Sequence, residues 1–298
     1  MKTKGFIIKR SLIPYLMLLP AFVFIIGFKF YPIVNTFYLS TQNYSLLSLD
    51  EAGYVGLDNY IKLFSDTVFH TAFLNSLVWV VANVAIQTVL GMALALLLNQ
   101  EFKGRGIYRA MVFIPWAVSG VLTAIMWNFM YSESMGVIND ILLRFSLIER
   151  RISFVSTGSF AMFAVVMAQV WRGTPFFAIN FLSGMQTIPG DVYESAQIDG
   201  ANAFKRFIYI TLPMMKNALI FTILLRTIWT LNAADVIYSL TGGGPANSTM
   251  TVPLLIMTTF LDSLDFGYTS TISVVMTLFL IVFSILFLKI TRYSAEGV

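Results

Sequence analysis

An all-α integral membrane protein, a bundle of six spanning helices, is the fold class this sequence predicts, and three observations predict it. The first is composition. Hydrophobic residues make up 57% of the chain and charged residues only 11%, with a mean hydropathy of +0.78. A soluble domain carries about 25% charged residues, so this chain could not cover a water-facing surface. The second is length: the apolar runs reach the roughly 20 residues that a helix needs to cross a bilayer, and a helix satisfies its own backbone in lipid. The third is the alternation of basic residues. Lys2, Lys4, Lys9, Arg10, Lys103, Arg105, Arg109, Lys205, Arg206, Lys216, Lys289 and Arg292 fall on one side of a six-span threading, about twelve in all. Lys62, Arg144, Arg150 and Arg151, about four, fall on the other. The richer side is the cytoplasmic one, which puts both termini inside.

The spans follow in order. A basic start precedes the apolar run 12–39. That run is long and closed by no small-residue cleavage site, so it reads as an uncleaved first span, with Lys29 snorkelling near its outer end. Residues 41–70 are polar and acidic. The second span, 71–98, carries Asn75, Asn83 and Gln87, amides expected to face the bundle or a cavity rather than lipid. A short basic loop leads to the third span, 110–131, with Pro115 and Gly120 inside it, breakers that neighbouring helices tolerate in a membrane. A mixed-charge loop, 132–156, precedes the fourth span, 158–182, which holds Trp171-Arg172-Gly173-Thr174-Pro175. The fifth is 214–234 and the sixth 269–290. The whole, 1–298, reads as a single membrane domain.

Between the fourth and fifth spans lies the most informative stretch, the polar interruption 183–213. Pro189 suits a first helical turn. Asp191 and Glu194 fall near that helix's positive end. Gly200 supplies the left-handed stop. Phe204, Phe207 and Ile208 recur at helical spacing beside Lys205 and Arg206. Thr211 is expected to cap the next helix, with Pro213 in its first turn. Composition alone would also fit an amphipathic helix lying on the membrane surface.

The spacing of Glu194-Ser195-Ala196, then Asp199-Gly200-Ala201, then Phe207, Ile210, Leu212 and Pro213 resembles the "EAA" cytoplasmic loop of permease subunits of binding-protein-dependent ABC importers. Ser195 stands where that family usually has alanine. Val55-Gly56-Leu57-Asp58-Asn59-Tyr60 resembles the family's "GLxNY" segment, and Asp235 to Pro245 resembles the "FDxIYxLTxGGP" segment of its sugar-type branch, with Ala234 in place of phenylalanine. The resemblance covers nearly the whole chain. It implies a type I importer permease fold with a cytoplasmic coupling helix, in the maltose and glycerol-3-phosphate class, as the first of two permease subunits. It also implies the partners: a second homologous permease, two ABC ATPase subunits that carry the ATP and Mg, an extracytoplasmic solute-binding protein, a carbohydrate or polyol phosphate, and membrane lipid. The site would be the plasma (inner) membrane of a bacterium or archaeon.

The candidate sites follow. For coupling to the ATPase the resemblance implies Tyr193, Glu194, Ser195, Ala196, Asp199, Gly200, Ala201 and Phe204. An exposed carboxylate on a short rigid helix can pair with a basic residue of a partner, and Glu194 is the residue that best fits that part. Tyr193, Ala196 and Phe204 could equally line the docked face or pack back on the bundle. For the transport path the candidates are Trp229, Asn232, Asp235 and Tyr238, three apart along the fifth span, since sugars are held by aromatic faces with amide and carboxylate hydrogen bonds. Arg172 and Arg226 are further intramembrane polar groups, functional candidates by their cost. No phosphate-cradling G-x-x-x-x-G-K-[ST] loop is present, so no nucleotide cofactor is expected on this chain. Cysteine is absent and His70 is the only histidine, which argues against a metal site or a nucleophilic catalytic centre. No enzyme active site and no nucleic-acid partner is expected. The competing class, a self-sufficient secondary transporter or channel, would need ion-coupling acids that the spans scarcely supply.

Overall fold

The computed structural model describes residues 13–293, so the basic positions Lys2, Lys4, Lys9 and Arg10 lie outside the described residues. Among the described residues four helices are long and apolar enough to span a membrane, and two bent helix pairs bring the number of spans up to six. The chain divides into two compact units, Met1–Ser65 with Thr259–Thr277, and Asp66–Thr258 with Leu278–Val298.

In the first unit α1 (Ile13–Ile25) continues through a π turn at Ile26–Phe30 into α2 (Tyr31–Leu39). Pro20 stands inside α1 and Pro32 at the start of α2. From Tyr15 to Val34 the side chains, Lys29 included, are exposed. A two-stranded antiparallel hairpin follows, β1 (Gln42–Asn43) with β2 (Gly53–Tyr54), and then the short α3 (Asp58–Ser65). The "GLxNY" residues work here as a clamp. Gly56 takes the left-handed backbone at φ +60°. Asn59 donates from Nδ2 to the carbonyls of Ser40 and Gln42, and Tyr60 shares a 2.7 Å hydrogen bond with the Ser40 hydroxyl. From the other part of the unit, Thr271 donates to the Ser40 carbonyl, and Lys62 lies 3.8 Å from Asp265 and over the Tyr268 ring.

The second unit is built on α4 (Thr67–Asn99), α5 (Arg105–Ala117), α6 (Gly120–Tyr131), α7 (Val137–Arg144) and α8 (Gly158–Gln186). Asp66 caps α4 by accepting from the Val68 N–H at 2.7 Å. In lipid, helices gain little from apolar burial and associate through close packing, so small residues mark their contacts. The buried face of α8 follows that rule with Ala161, Ala164, Ala168, Gly173, Ala178 and Gly184. A side chain at Gly91 of α4 would collide with Phe177 of α8, so glycine sets that approach.

The expected third span is a broken pair. α5 and α6 meet at 92°, and the break falls at Val118–Ser119, where Ser119 caps α6 by accepting from the Leu122 N–H. Pro115 lies within α5, three residues before the turn. Past α8 come α9 (Gly190–Ile198), α10 (Ala203–Arg206), a π turn at Phe207–Thr211, α11 (Leu212–Met214) and α12 (Lys216–Asn232). The segment Ala203–Met214 is bent 68° from α12. The expected fifth span, 214–234, holds α12, which reaches spanning length only together with the bent segment before it. Thr211 does not cap α11; its backbone is helical, and its hydroxyl bonds to Tyr193 and the Arg206 carbonyl instead. Pro189 sits just before α9 rather than in its first turn.

Beyond Asn232 the chain turns at Ala233–Ala234 into α13 (Asp235–Thr241), which ends on Gly242 at φ +59°. α14 (Val252–Leu261) and α15 (Phe266–Thr291) complete the chain. Asn75 of α4 donates to the carbonyls of Asn247 and Met250, and Ser76 accepts from the Val252 N–H. The glycine-rich loop is thereby tied to the N-terminal part of α4.

Candidate functional site

Two places in the second unit hold the predicted site residues. The first is a cavity of about 430 Å³ on the seam between α8 and α12, lined by Trp116, Gln169, Arg172, Arg226, Trp229, Asn232 and Asp235 with Ala233 and Ala234. Trp229, Asn232 and Asp235 meet there. Tyr238 does not: it lies on α13 and is absent from the lining. The spacing of three holds one face only while the helix continues, and the turn at Ala233–Ala234 interrupts it.

Beneath the cavity lies a polar network. Arg226 is buried and donates from Nε to Gln87 Oε1 at 3.0 Å. Gln87 in turn donates to Asn83 Oδ1 and to the Gln169 carbonyl. Asn83 donates to the Trp79 carbonyl, and the Trp79 indole donates to the Thr230 carbonyl. The amides of the second span therefore do face the bundle. Among the described residues Arg226 Nη2 and Gln169 Oε1, a donor and an acceptor, have no protein partner, and both residues line the cavity. A hydroxyl both donates and accepts, so such a pair suits a polyol or water.

At the rim, Arg172 ties three elements together. It donates from Nε to the Val118 carbonyl at the α5–α6 break and from Nη1 to Asp235 Oδ2 at 3.2 Å. The pair is partly exposed, 24% for Arg172 and 40% for Asp235. Glycine makes both approaches possible. A side chain at Gly120 would strike the Asp235 carboxylate, and one at Gly173 would strike Arg226 and Gln87. Trp229 lines the cavity and holds its ring 5.1 Å from that of Phe176, tilted by 50°. Sequence reasoning missed Trp116 and Gln169. Both are ordinary bundle residues by pattern, and only the tertiary fold brings them to the seam.

The second place is the segment from α9 to α11. α9 ends in a Schellman motif: the Gly200 N–H bonds the Gln197 carbonyl and the Ala201 N–H bonds the Ala196 carbonyl. Gly200 takes φ +75° with open space around it. Ala196, Gly200 and Ala201 thus build the bend itself. Asn202 caps α10 by accepting from the Lys205 N–H. Tyr193 turns back, sharing a 2.9 Å hydrogen bond with Thr211. Glu194, Ser195 and Asp199 are exposed, as are Ile198 at 88% and Phe204 at 72%. Asp191 alone lies in the first turn of α9; Glu194 is past it, where the helix dipole has faded.

The sequence profile of the family described as "binding-protein-dependent transport system inner membrane component" matches residues 87–298. The trehalose/maltose transport system permease protein MalF of Thermococcus litoralis is 38% identical over 288 residues, covering 97% of this chain and 96% of that protein. The lactose transport system permease protein LacF of Rhizobium radiobacter is 34% identical over 276 residues, 91% of each chain. Among solved structures, a bacterial ABC transporter involved in import of the acidic polysaccharide alginate superposes with a TM-score of 0.83 at 22% identity, over 97% of this chain and 98% of that one. A second structure of the alginate transporter, holding a pentasaccharide-bound periplasmic protein, gives 0.84. These structures share the fold of this chain.

Proposed function

The chain belongs to the binding-protein-dependent transport system inner membrane components and is a transmembrane permease subunit of an ABC importer for carbohydrate, and from that premise we propose how its residues divide the work. The observation that carries the reading is the segment α9–α11: two short helices turned about Gly200, with Glu194, Ile198 and Phe204 uncovered. A soluble face of that kind gains by docking into a groove on a partner. We assign it to an ABC ATPase subunit. Glu194 pairs with a basic group there, Phe204 and Ile198 fill the groove, and the Gly200 bend fixes the angle. Ser195 and Asp199 lie on the same exposed surface, while Tyr193, Ala196 and Ala201 hold its shape.

By this reading the complex contains a second permease, two ATPase subunits that bind ATP and Mg, and an extracytoplasmic binding protein that delivers sugar. Both termini and α9–α11 are cytoplasmic, in agreement with the excess of basic residues on that side. ATP binding closes the ATPase pair. The docked segments follow as rigid bodies, and the two permeases switch from inward- to outward-facing. The α8–α12 cavity then receives the sugar. Trp229 and Trp116 offer ring faces, and Asn232, Gln169 and Arg226 offer hydrogen bonds to hydroxyls.

Purification of the tagged chain from its native membrane tests this. A second permease and an ABC ATPase are expected to co-purify, and the complex is expected to import maltose, trehalose or lactose only with ATP and a binding protein. A chain that purifies alone and moves sugar into liposomes without ATP would overturn the reading.

A further inference from the structure

We propose that the α8–α12 seam carries a second carbohydrate site, a vestibule for one sugar ring at the end of the seam next to α9–α11. The inference rests on the transport reading above and adds a site to it. A separate cavity of about 280 Å³ lies there, just below the roughly 300–1,000 Å³ of drug-sized sites, as suits a single ring. Asn180, Ser183 and Thr187 line it from the α8 side, and Asn217, Phe221 and Thr222 from α12. No charged side chain takes part. Amides and hydroxyls around one exposed aromatic face are the groups that bind an uncharged polyhydroxylated ring.

Three features make this more than a crevice. First, it continues the outer cavity. Gln169, Arg172, Phe176, Asn180, Ser183 and Thr187 step by three or four residues and so share one face at α8 and just past its end. On α12, Ala218, Phe221, Trp229 and Asn232 line the same two cavities. Phe176 against Trp229 stands between them. Second, its hydrogen-bonding capacity is in part unspent. Asn180, Thr187 and Thr222 each donate to their own helix, at the carbonyls of Phe176, Gly184 and Ala218. Ser183 and Asn217 make no side-chain hydrogen bond among the described residues. Third, its floor is held rigid. A Cβ at Gly184 would come within 2.8 Å of Ala218 Cβ, so the helices cross here at a distance only glycine permits. The 68° bend at Met215 lies beside it. Motion of α9–α11 therefore reaches this cavity before it reaches the outer one, as release on the cytoplasmic side requires.

The chain contains no cysteine, so single cysteines report without background from it. Ser183→Cys, Asn217→Cys and Asn180→Cys are placed one at a time in the assembled importer, in inside-out vesicles, and labelled with a membrane-impermeant thiosulfonate. Ser183→Cys is nearly isosteric, so it keeps the test alive if another variant fails to assemble. Asn232→Cys reports on the outer cavity, and Gln186→Cys, exposed on α8 outside both linings, reports on global change. Maltose, trehalose and lactose are added in turn. We expect Ser183→Cys and Asn217→Cys to label, and to slow about fivefold when a sugar stands at about four times its Kd, with Gln186→Cys unchanged. Sugar protection at Asn232→Cys but not at Ser183→Cys or Asn217→Cys would overturn the second site and leave the transport reading intact. Equal slowing at Gln186→Cys, or no labelling at the vestibule, would overturn it too. Protection nowhere, with no import, would sink the carbohydrate reading itself.

Discussion

The α8–α12 seam and the α9–α11 segment are neighbours in the chain and opposites in how they are held. The seam ties a set of buried polar groups to one another and leaves Arg226 Nη2 and Gln169 Oε1 to its cavity. Arg226, Gln87, Asn83 and Trp79 form one chain of hydrogen bonds, and Arg172 ties two helix breaks together through Val118 and Asp235. The segment keeps its own backbone satisfied through a Schellman motif and a cap, but leaves Glu194, Ile198, Phe204 and Tyr209 in the open. One region is specified by what this chain places around it. The other, on the docking proposed above, is a shape made ready for a different chain. Substitutions in the seam should therefore show in the stability of the permease, and substitutions in the segment should show in transport while stability barely moves.

The harshest test of that contrast is Gly173→Leu. The new side chain would occupy the space of Arg226 Nη2 and Gln87, and overpacking of this kind costs about 3 kcal/mol. The expected result is a drop of several degrees in the unfolding midpoint of the detergent-purified complex, with little protein reaching the membrane. A variant as stable as the parent would mean the seam is looser than its hydrogen bonds imply. Next is Asp235→Ala, which leaves the Arg172 guanidinium without its carboxylate. Both side chains are partly exposed, so the loss should be about 1–2 kcal/mol rather than the larger figure for a fully buried pair. Arg172→Met with Asp235→Leu should recover most of it. A double-mutant cycle with no coupling between the two positions would refute a stabilising Arg172–Asp235 pair.

Much of this was legible in the sequence because it rests on period and composition. The apolar runs place the long helices, and the amides Asn83 and Gln87 announce a buried polar face. The Gly200 bend follows from the glycine itself. The helix breaks were harder to see. Pro115 draws attention in the third span, yet the turn comes at Ser119, whose side chain caps the next helix. An N-cap signal inside an apolar run was the clue. α13 was also marked, by Asp235 in its first turn and Gly242 at its end, but its residues read as a continuation of the fifth span and its loop. That is why Tyr238 was grouped with Trp229 and Asn232. Gln169 and Trp116 carry no local signal at all, since what makes them site residues is the crossing of helices far apart in sequence.

Smaller effects separate the two regions more finely. Tyr193→Phe removes the 2.9 Å hydrogen bond to Thr211, among the described residues the side-chain bond that joins α9 to the run leading into α12. A bond of this kind is worth about 1 kcal/mol. Hydrogen exchange of the α9 amides should speed up several-fold while the global midpoint stays put. If it does not, the segment is braced by something other than Tyr193.

Glu194→Gln should do least to stability and most to coupling. The residue is exposed and accepts no hydrogen bond among the described residues, so the change should fall within about 0.5 kcal/mol. A helix-stabilising carboxylate would have to act through the dipole, which fades beyond the first turn, and the first-turn acid of α9 is Asp191. A charge held outside that turn, on a helix already capped at its far end, is free to serve the docking proposed above. The expected outcome is at least a tenfold loss of sugar uptake and of binding-protein-stimulated ATP hydrolysis, with the folded complex unchanged in yield. Asp191→Asn should show the reverse: a small loss of α9 protection and near-normal uptake. If Glu194→Gln instead lowered stability and left uptake intact, the carboxylate would belong to the fold, and the contrast between the two regions would lose its clearest member.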